Sequence, residues 1–175
     1  NSYKPGDLIK MRNNLIIQVD HTDAEGRIVL ADLLITAQKN TPDQIFTLAT
    51  LTGGVRVGLG VLHCGFFSTE EKVASALQES GKAVGELLWR LPLDETYARN
   101  LKKNDKTISN TGTLRFGSPI IGAMFLQSFL EQQGLVFNHL DLAGVAWHEK
   151  KIFAHTGEGA TGFGVRLFAH FLSKI

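Results

Sequence analysis

Runs of apolar residues alternate along the chain with short polar clusters, and the spacing within each run predicts an element. Leu15 to Val19 is a brief β-branched run that predicts a buried strand, and Ile28 to Ala37, rich in Leu and Ala with no Gly or Pro, predicts a helix. Ile45 to Ala49 is nearly all apolar, the pattern of a strand covered on both faces. Strand, helix and strand within about fifty residues is βαβ spacing, so the two strands are expected to pair in parallel through a right-handed crossover.

Further along, Val55 to Phe67 is apolar but broken by Gly58, Gly60 and Gly65, and predicts an irregular strand and loop. Ser68-Thr69-Glu70-Glu71 has the form of a capping box before a helix carrying Val73, Ala74 and Leu77, which Gly81 and Gly85 weaken. Trp89 in Glu86 to Pro92 is expected to anchor the core. Thr96 to Lys102 predicts a short helix, Asn104 to Gly117 a long loop, and Ser118-Pro119 the start of a helix from Ile120 to Gln133 that Gly134 ends. Val136 to Ala146 predicts a third strand, on which His139 and Asp141 share a face; a ligand pair is one reading and a satisfied structural histidine the other. The fold these elements imply is α/β, three-layered, with a mostly parallel or mixed sheet flanked by helices.

The polar cluster between the first strand and helix is dense in chemistry: His21, Thr22, Asp23, Ala24, Glu25, Gly26 and Arg27. It lies at a strand's carboxyl end, where ligands bind in α/β proteins. Thr22 to Glu25 fits a capping box, which needs no function. Alternatively Asp23 and Glu25 present hard oxygen ligands to divalent ions, with Arg27 holding an anion beside them.

Composition narrows the classes. The chain has 175 residues, enough for one domain with its own core, and is 43% hydrophobic. A formal net charge of +1 gives no electrostatic footprint for nucleic acid, and the single Cys64 favours a reducing compartment and a buried structural thiol. No apolar run is long enough to span a bilayer and no signal peptide is evident, so a cytoplasmic protein is expected. The first residue is Asn, and the chain is expected to begin inside a longer protein. Gly157 to Gly162 matches G-x-G-x-x-G before a helix from Phe163 to Lys174, but no strand precedes it and the acidic partner expected downstream is missing. The dinucleotide reading is rejected in favour of a tight loop at a helix N-terminus.

Several segments taken together, Asp23 to Asp32, Ala49 to Gly53, Trp89 to Leu93, His139 to Gly144 and Gly159 to Gly162, resemble in order and spacing the leucyl aminopeptidase (cytosol aminopeptidase) family, whose N-T-D-A-E-G-R signature is specific. The resemblance runs from Tyr3 to the C-terminus. It implies that residues 1–175 are the C-terminal portion of a dimetal aminopeptidase catalytic domain, with the upstream part absent. By the same resemblance Asp23 and Glu25 bind the metals, two divalent ions such as Zn or Mn. Arg27 is catalytic through a bicarbonate-like anion acting as general base, and the backbone N–H groups of Leu51 and Gly53 serve anion or substrate binding. Implied partners are a peptide substrate and further copies of the chain in a hexamer, with no membrane. The alternative is a noncatalytic member serving as an oligomeric assembly or binding module. Two departures stand out: His21 replaces the usual Asn, and Lys106 to Asn110 keeps only the Asn of an A-D-x-x-N stretch. The resemblance further implies that the family's remaining ligands, two Asp and a Lys, and a second catalytic Lys are to be expected upstream of Asn1.

Overall fold

The structure, a computed structural model, describes residues 2–152 and 157–174. The chain divides into two compact units, residues 1–45 with 93–136 and residues 46–92 with 137–175.

In the first unit β1 (Leu8–Lys10) and β2 (Ile16–Gln18) pair antiparallel, and β2 pairs in parallel with a strand far along the chain, Thr107–Ser109. α1 (Gly26–Ala37) follows β2 and packs on the helix Ser118–Gln127, which the helix Glu95–Leu101 also contacts. Ile17, Ala31, Leu34, Leu101, Met124 and Phe125 are fully or almost fully buried. Removing that apolar area from water is what stabilises the unit, since its strands are only three residues long. Two expectations change here. The predicted loop from Asn104 contains the strand Thr107–Ser109, and the helix after Pro119 ends at Gln127 instead of Gln133.

The second unit is built on four strands: β3 (Gln44–Ala49), β4 (Cys64–Ser68), β5 (Leu88–Arg90) and, since Thr107–Ser109 is β6, β7 (Val136–Asp141), in the order β3-β7-β4-β5. β4 runs antiparallel to β7 and parallel to β5. The α/β class with mixed sheets is therefore as expected. The predicted parallel pairing of the first strand with Ile45 to Ala49 is not: β2 and β3 belong to different sheets. Local spacing reports that a crossover exists, and β2 instead meets its parallel partner some ninety residues on, at β6.

After β3 the chain forms α2 (Gly53–Leu59), where an irregular strand was expected; Gly65 on β4 lies so close to the Val55 side chain that a Cβ there would clash with it, at 2.4 Å. α3 (Glu71–Val84) is capped by the Glu70 side chain, which accepts the Lys72 N–H at 3.3 Å, so the capping box predicted over Ser68 to Glu71 is not what starts it. Gly81 sits inside α3 because Glu86 O would lie 2.4 Å from its Cβ, a close approach rather than a break. α4 (Glu95–Leu101) and α5 (Ser118–Gln127) are the first unit's two later helices, and α6 (Val165–Leu172) packs on α3. Cys64, Phe66, Leu77, Leu140, Leu167 and Phe171 form the core of this unit. Trp89, expected in the core, is 57% exposed: Leu88 takes the inward position on β5 and the alternation turns Trp89 outward. The third predicted strand stops at Asp141. Trp147–His148 (β8) then pairs antiparallel with Gly159–Ala160 (β9), so the middle of the glycine motif is a short strand and its turn lies at Gly162 and Gly164, both at positive φ. Phe153, which ends the run before that motif, lies outside the described residues.

Candidate metal and anion site

β2 and β6 are parallel with Gln18 opposite Ser109, so the residue after each strand arrives at one edge. Asn110, fully buried, donates its backbone N–H to Gln18 O at 3.0 Å and turns its side chain to the segment that follows β2. Its Oδ1 accepts the N–H groups of Asp20 at 2.8 Å and His21 at 3.2 Å; its Nδ2 donates to His21 O at 2.6 Å and Ala24 O at 3.5 Å. Its own carbonyl accepts Arg27 Nη1 at 2.8 Å. One residue thus touches both ends of the polar cluster.

The acids of the cluster divide into two kinds. The Asp20 carboxylate accepts Ser109 Oγ at 2.5 Å, Gln18 Nε2 at 2.7 Å and Lys103 Nζ at 3.1 Å. Burial pushes its pKa up, but these three donors outweigh burial and hold it below the usual carboxylate range. Asp20 is a committed structural acid. Asp23 and Glu25, by contrast, are exposed, and no described residue donates a hydrogen bond or an ion pair to either carboxylate. The capping-box reading fails on the same geometry. Glu25 is the N-cap of α1 with helical φ and ψ and makes no side-chain cap bond, and the Asp23 N–H is taken by His21 Nδ1 at 3.1 Å. Nearby, the Tyr3 hydroxyl reaches Thr22 O at 3.5 Å, and burial with the Glu25 charge pushes its pKa up. Arg27 on the first turn of α1 is 6% exposed, its guanidinium carbon 5.9 Å from the Phe125 ring centroid.

The other candidate positions lie in the second unit, on a turn of their own. Asp141, 1% exposed, ends β7 and organises that turn: it accepts the N–H of Leu51 at 3.0 Å, of Thr52 at 3.3 Å and of Ala143 at 3.2 Å on Oδ1, and the Thr52 hydroxyl at 2.7 Å on Oδ2. Burial raises its pKa against those bonds. Leu51 N–H therefore already has a carboxylate partner, and Gly53 opens α2 with open space where a Cβ would stand. His139 has the structural character weighed for it, buried with Nδ1 2.8 Å from Thr47 Oγ1 and its ring stacked on Phe67 at 5.9 Å. Cys64 is buried as expected, and burial pushes its thiol up, with the Asp141 and Glu86 charges adding to it.

So Asp23, Glu25 and Arg27 are brought together at one strand-to-helix junction, while Leu51 and Gly53 share a separate turn. Sequence reasoning missed the holding roles of Asn110 and Asp20, and it set Asp141 beside His139 as one half of a possible ligand pair, where the carboxylate instead organises the Leu51–Thr52 turn. The one available signal was that Asn110 is the position the A-D-x-x-N stretch retains. Two uncommitted carboxylates on one turn fit a hard divalent cation in kind. They do not fit in number: among the described residues no group of three or more His, Cys, Asp or Glu converges to hold a metal ion.

Comparison with known proteins gives one consistent answer. The family model described as the cytosol aminopeptidase family, catalytic domain, matches residues 1–169. The probable cytosol aminopeptidase of Aquifex aeolicus is 41% identical over 176 residues, covering 100% of this chain and 35% of that relative. That of Synechococcus sp. is 44% identical over 162 residues, covering 93% of this chain and 31% of the relative. A solved mutant of tomato leucine aminopeptidase superposes with a TM-score of 0.89 at 37% identity, covering 99% of this chain and 33% of that one. The chain spans about a third of the length of the curated relatives it matches.

Proposed function

This chain belongs to the cytosol aminopeptidase family, and from that premise we propose that it is the C-terminal part of the catalytic domain of a metal-dependent aminopeptidase, one that removes N-terminal residues from peptides. The observation that carries the reading is the pair of exposed, uncommitted carboxylates, Asp23 and Glu25, on a turn whose backbone the Asn110 side chain holds at Asp20, His21 and Ala24.

Asp23 and Glu25 would hold two divalent ions, Zn or Mn, with further ligands from sequence outside this chain. Ions bound there would polarise a scissile carbonyl and lower the pKa of water. The chain's own residues do the rest of what is assigned here. Arg27, buried and aimed by the Asn110 carbonyl, presents a planar cation suited to a bicarbonate-like anion, the group we assign as general base. Gly53 is assigned a backbone N–H contact to anion or substrate, on a turn whose shape Asp141 sets; the Leu51 N–H, expected to share that role, is donated to Asp141, so a contact from it would require that bond to be exchanged. We extend the reading to a homo-oligomer working in the cytoplasm; no helix of the described residues is long and apolar enough to cross a membrane.

A second reading, a noncatalytic assembly module, draws on large apolar side chains left in solvent, Val57 at 89% and Phe116 at 81% exposure. Hydrolysis of leucine amide by the complete protein, lost on chelation and restored by Zn or Mn, is the result the enzyme reading expects. An oligomer by native mass with no hydrolysis at any metal loading would favour the module.

A further inference from the structure

We propose that Asn110 is a positioning residue for Asp23, Glu25 and Arg27, holding the turn that carries the two carboxylates with its side chain and the guanidinium with its main chain. The inference rests on the reading of those three residues as functional. Exposed carboxylates to which no described residue donates a hydrogen bond take their placement from the backbone beneath them, so whatever fixes that backbone fixes the ligands. Here the fixing group is the Asn110 amide. Its oxygen receives two N–H groups and its nitrogen meets two carbonyls, all within residues 20–24. That pattern also sets the amide's orientation, because the flipped form would face N–H to N–H and oxygen to oxygen. Aspartate has the same shape but lacks the two donors, so it would turn a charged oxygen toward His21 O and Ala24 O. Without the amide, the backbone from His21 to Ala24 keeps His21 Nδ1 on the Asp23 N–H at 3.1 Å, the Ala24 N–H to His21 O bond at 3.3 Å and the long Tyr3 hydroxyl contact to Thr22 O at 3.5 Å, while the Asp20 side chain stays anchored by its own donors.

A purely structural role would show as lost stability, so the test compares Asn110→Asp and Asn110→Ala with Ile108→Val in the complete protein. Ile108 is buried on β6, and trimming it weakens the same strand without touching the turn. The Asn110 variants are expected to bind Mn2+ about 10–100-fold more weakly by titration and to lose a similar factor in kcat on leucine amide. KM is expected to stay within about threefold, and amide hydrogen exchange from His21 to Arg27 to accelerate. Ile108→Val, compared at equal loss of Tm, is expected to keep both metal affinity and kcat. Glu25→Gln is run alongside. If it keeps full activity, the reading of the site itself fails. If Glu25→Gln loses activity while the Asn110 variants keep affinity and kcat, or if Ile108→Val falls as far as they do, the positioning role is overturned and Asn110 is a packing residue only.

Discussion

Thr52 is tied to Asp141 twice, through its backbone N–H at 3.3 Å and its hydroxyl at 2.7 Å, and both residues are buried. The hydroxyl satisfies a carboxylate oxygen that burial has already pushed toward its neutral form. Thr52→Val keeps the shape and removes that donor. The expected cost is about 1–3 kcal/mol, the penalty for leaving a buried acceptor unpaired, together with a further rise in the Asp141 pKa. Denaturant melts and a carboxyl-observed NMR titration read the two effects separately.

Asp20 contributes to the acid limb of stability. Its folded pKa is lowered, because Ser109, Gln18 and Lys103 outweigh burial, so the folded state binds this proton more weakly than the unfolded chain does. The stabilisation is therefore present above the unfolded value of about 3.9 and lost as pH falls through the lower folded value. Asp141 has the opposite sign: its pKa is raised, so its contribution is present below the unfolded value and lost as pH rises through the folded one. Asp20→Asn is expected to flatten the decline of Tm with acid, measured by melts between about pH 6 and pH 2; an unchanged slope would show that Asp20 is not the group responsible.

How far the sequence reads through to this site depends on the range of each interaction. The strand before His21, the helix after Arg27 and the buried Cys64 are local matters of period and burial, and all three stand where expected. The partner of β2 is not local, and nothing in Leu15 to Val19 says that Thr107–Ser109 rather than Ile45 to Ala49 lies beside it. Trp89 shows the same limit: bulk argued for burial, while its place opposite Leu88 on β5 decided exposure. The two capping boxes failed because each helix starts later than the box places it: Glu25 and Glu70 are the N-caps, the first making no side-chain cap bond and the second accepting the Lys72 N–H itself. The cluster of Asp23, Glu25 and Arg27 was legible as a motif, and its support by Asn110 was not, since that support crosses almost the whole first unit in sequence.

Taken alone, the 175-residue chain is expected to bind divalent metal weakly and to hydrolyse aminoacyl substrates negligibly. Among the described residues no third ligand joins the two carboxylates, which leaves each ion mostly hydrated, where a catalytic site ordinarily has three protein ligands and an open position. Calorimetry with Zn and Mn on the isolated chain, beside an assay on leucine amide, checks this. Tight binding of two equivalents with turnover would mean that ligands outside the chain are dispensable.

The most direct test of the central claim, that the turn before α1 carries reactive carboxylates and not a helix cap, is Glu25→Gln in the complete protein, with Thr22→Ala as its companion. Glu25 makes no cap bond, so neither change is expected to move stability by more than about 0.5 kcal/mol. Glu25→Gln is expected to lower kcat on leucine amide by orders of magnitude and to reduce the metal retained after dialysis, while Thr22→Ala leaves both unchanged. Unchanged hydrolysis in Glu25→Gln, accompanied by a loss of stability on the order of 1 kcal/mol in either variant, would make the cluster a helix start and contradict the account.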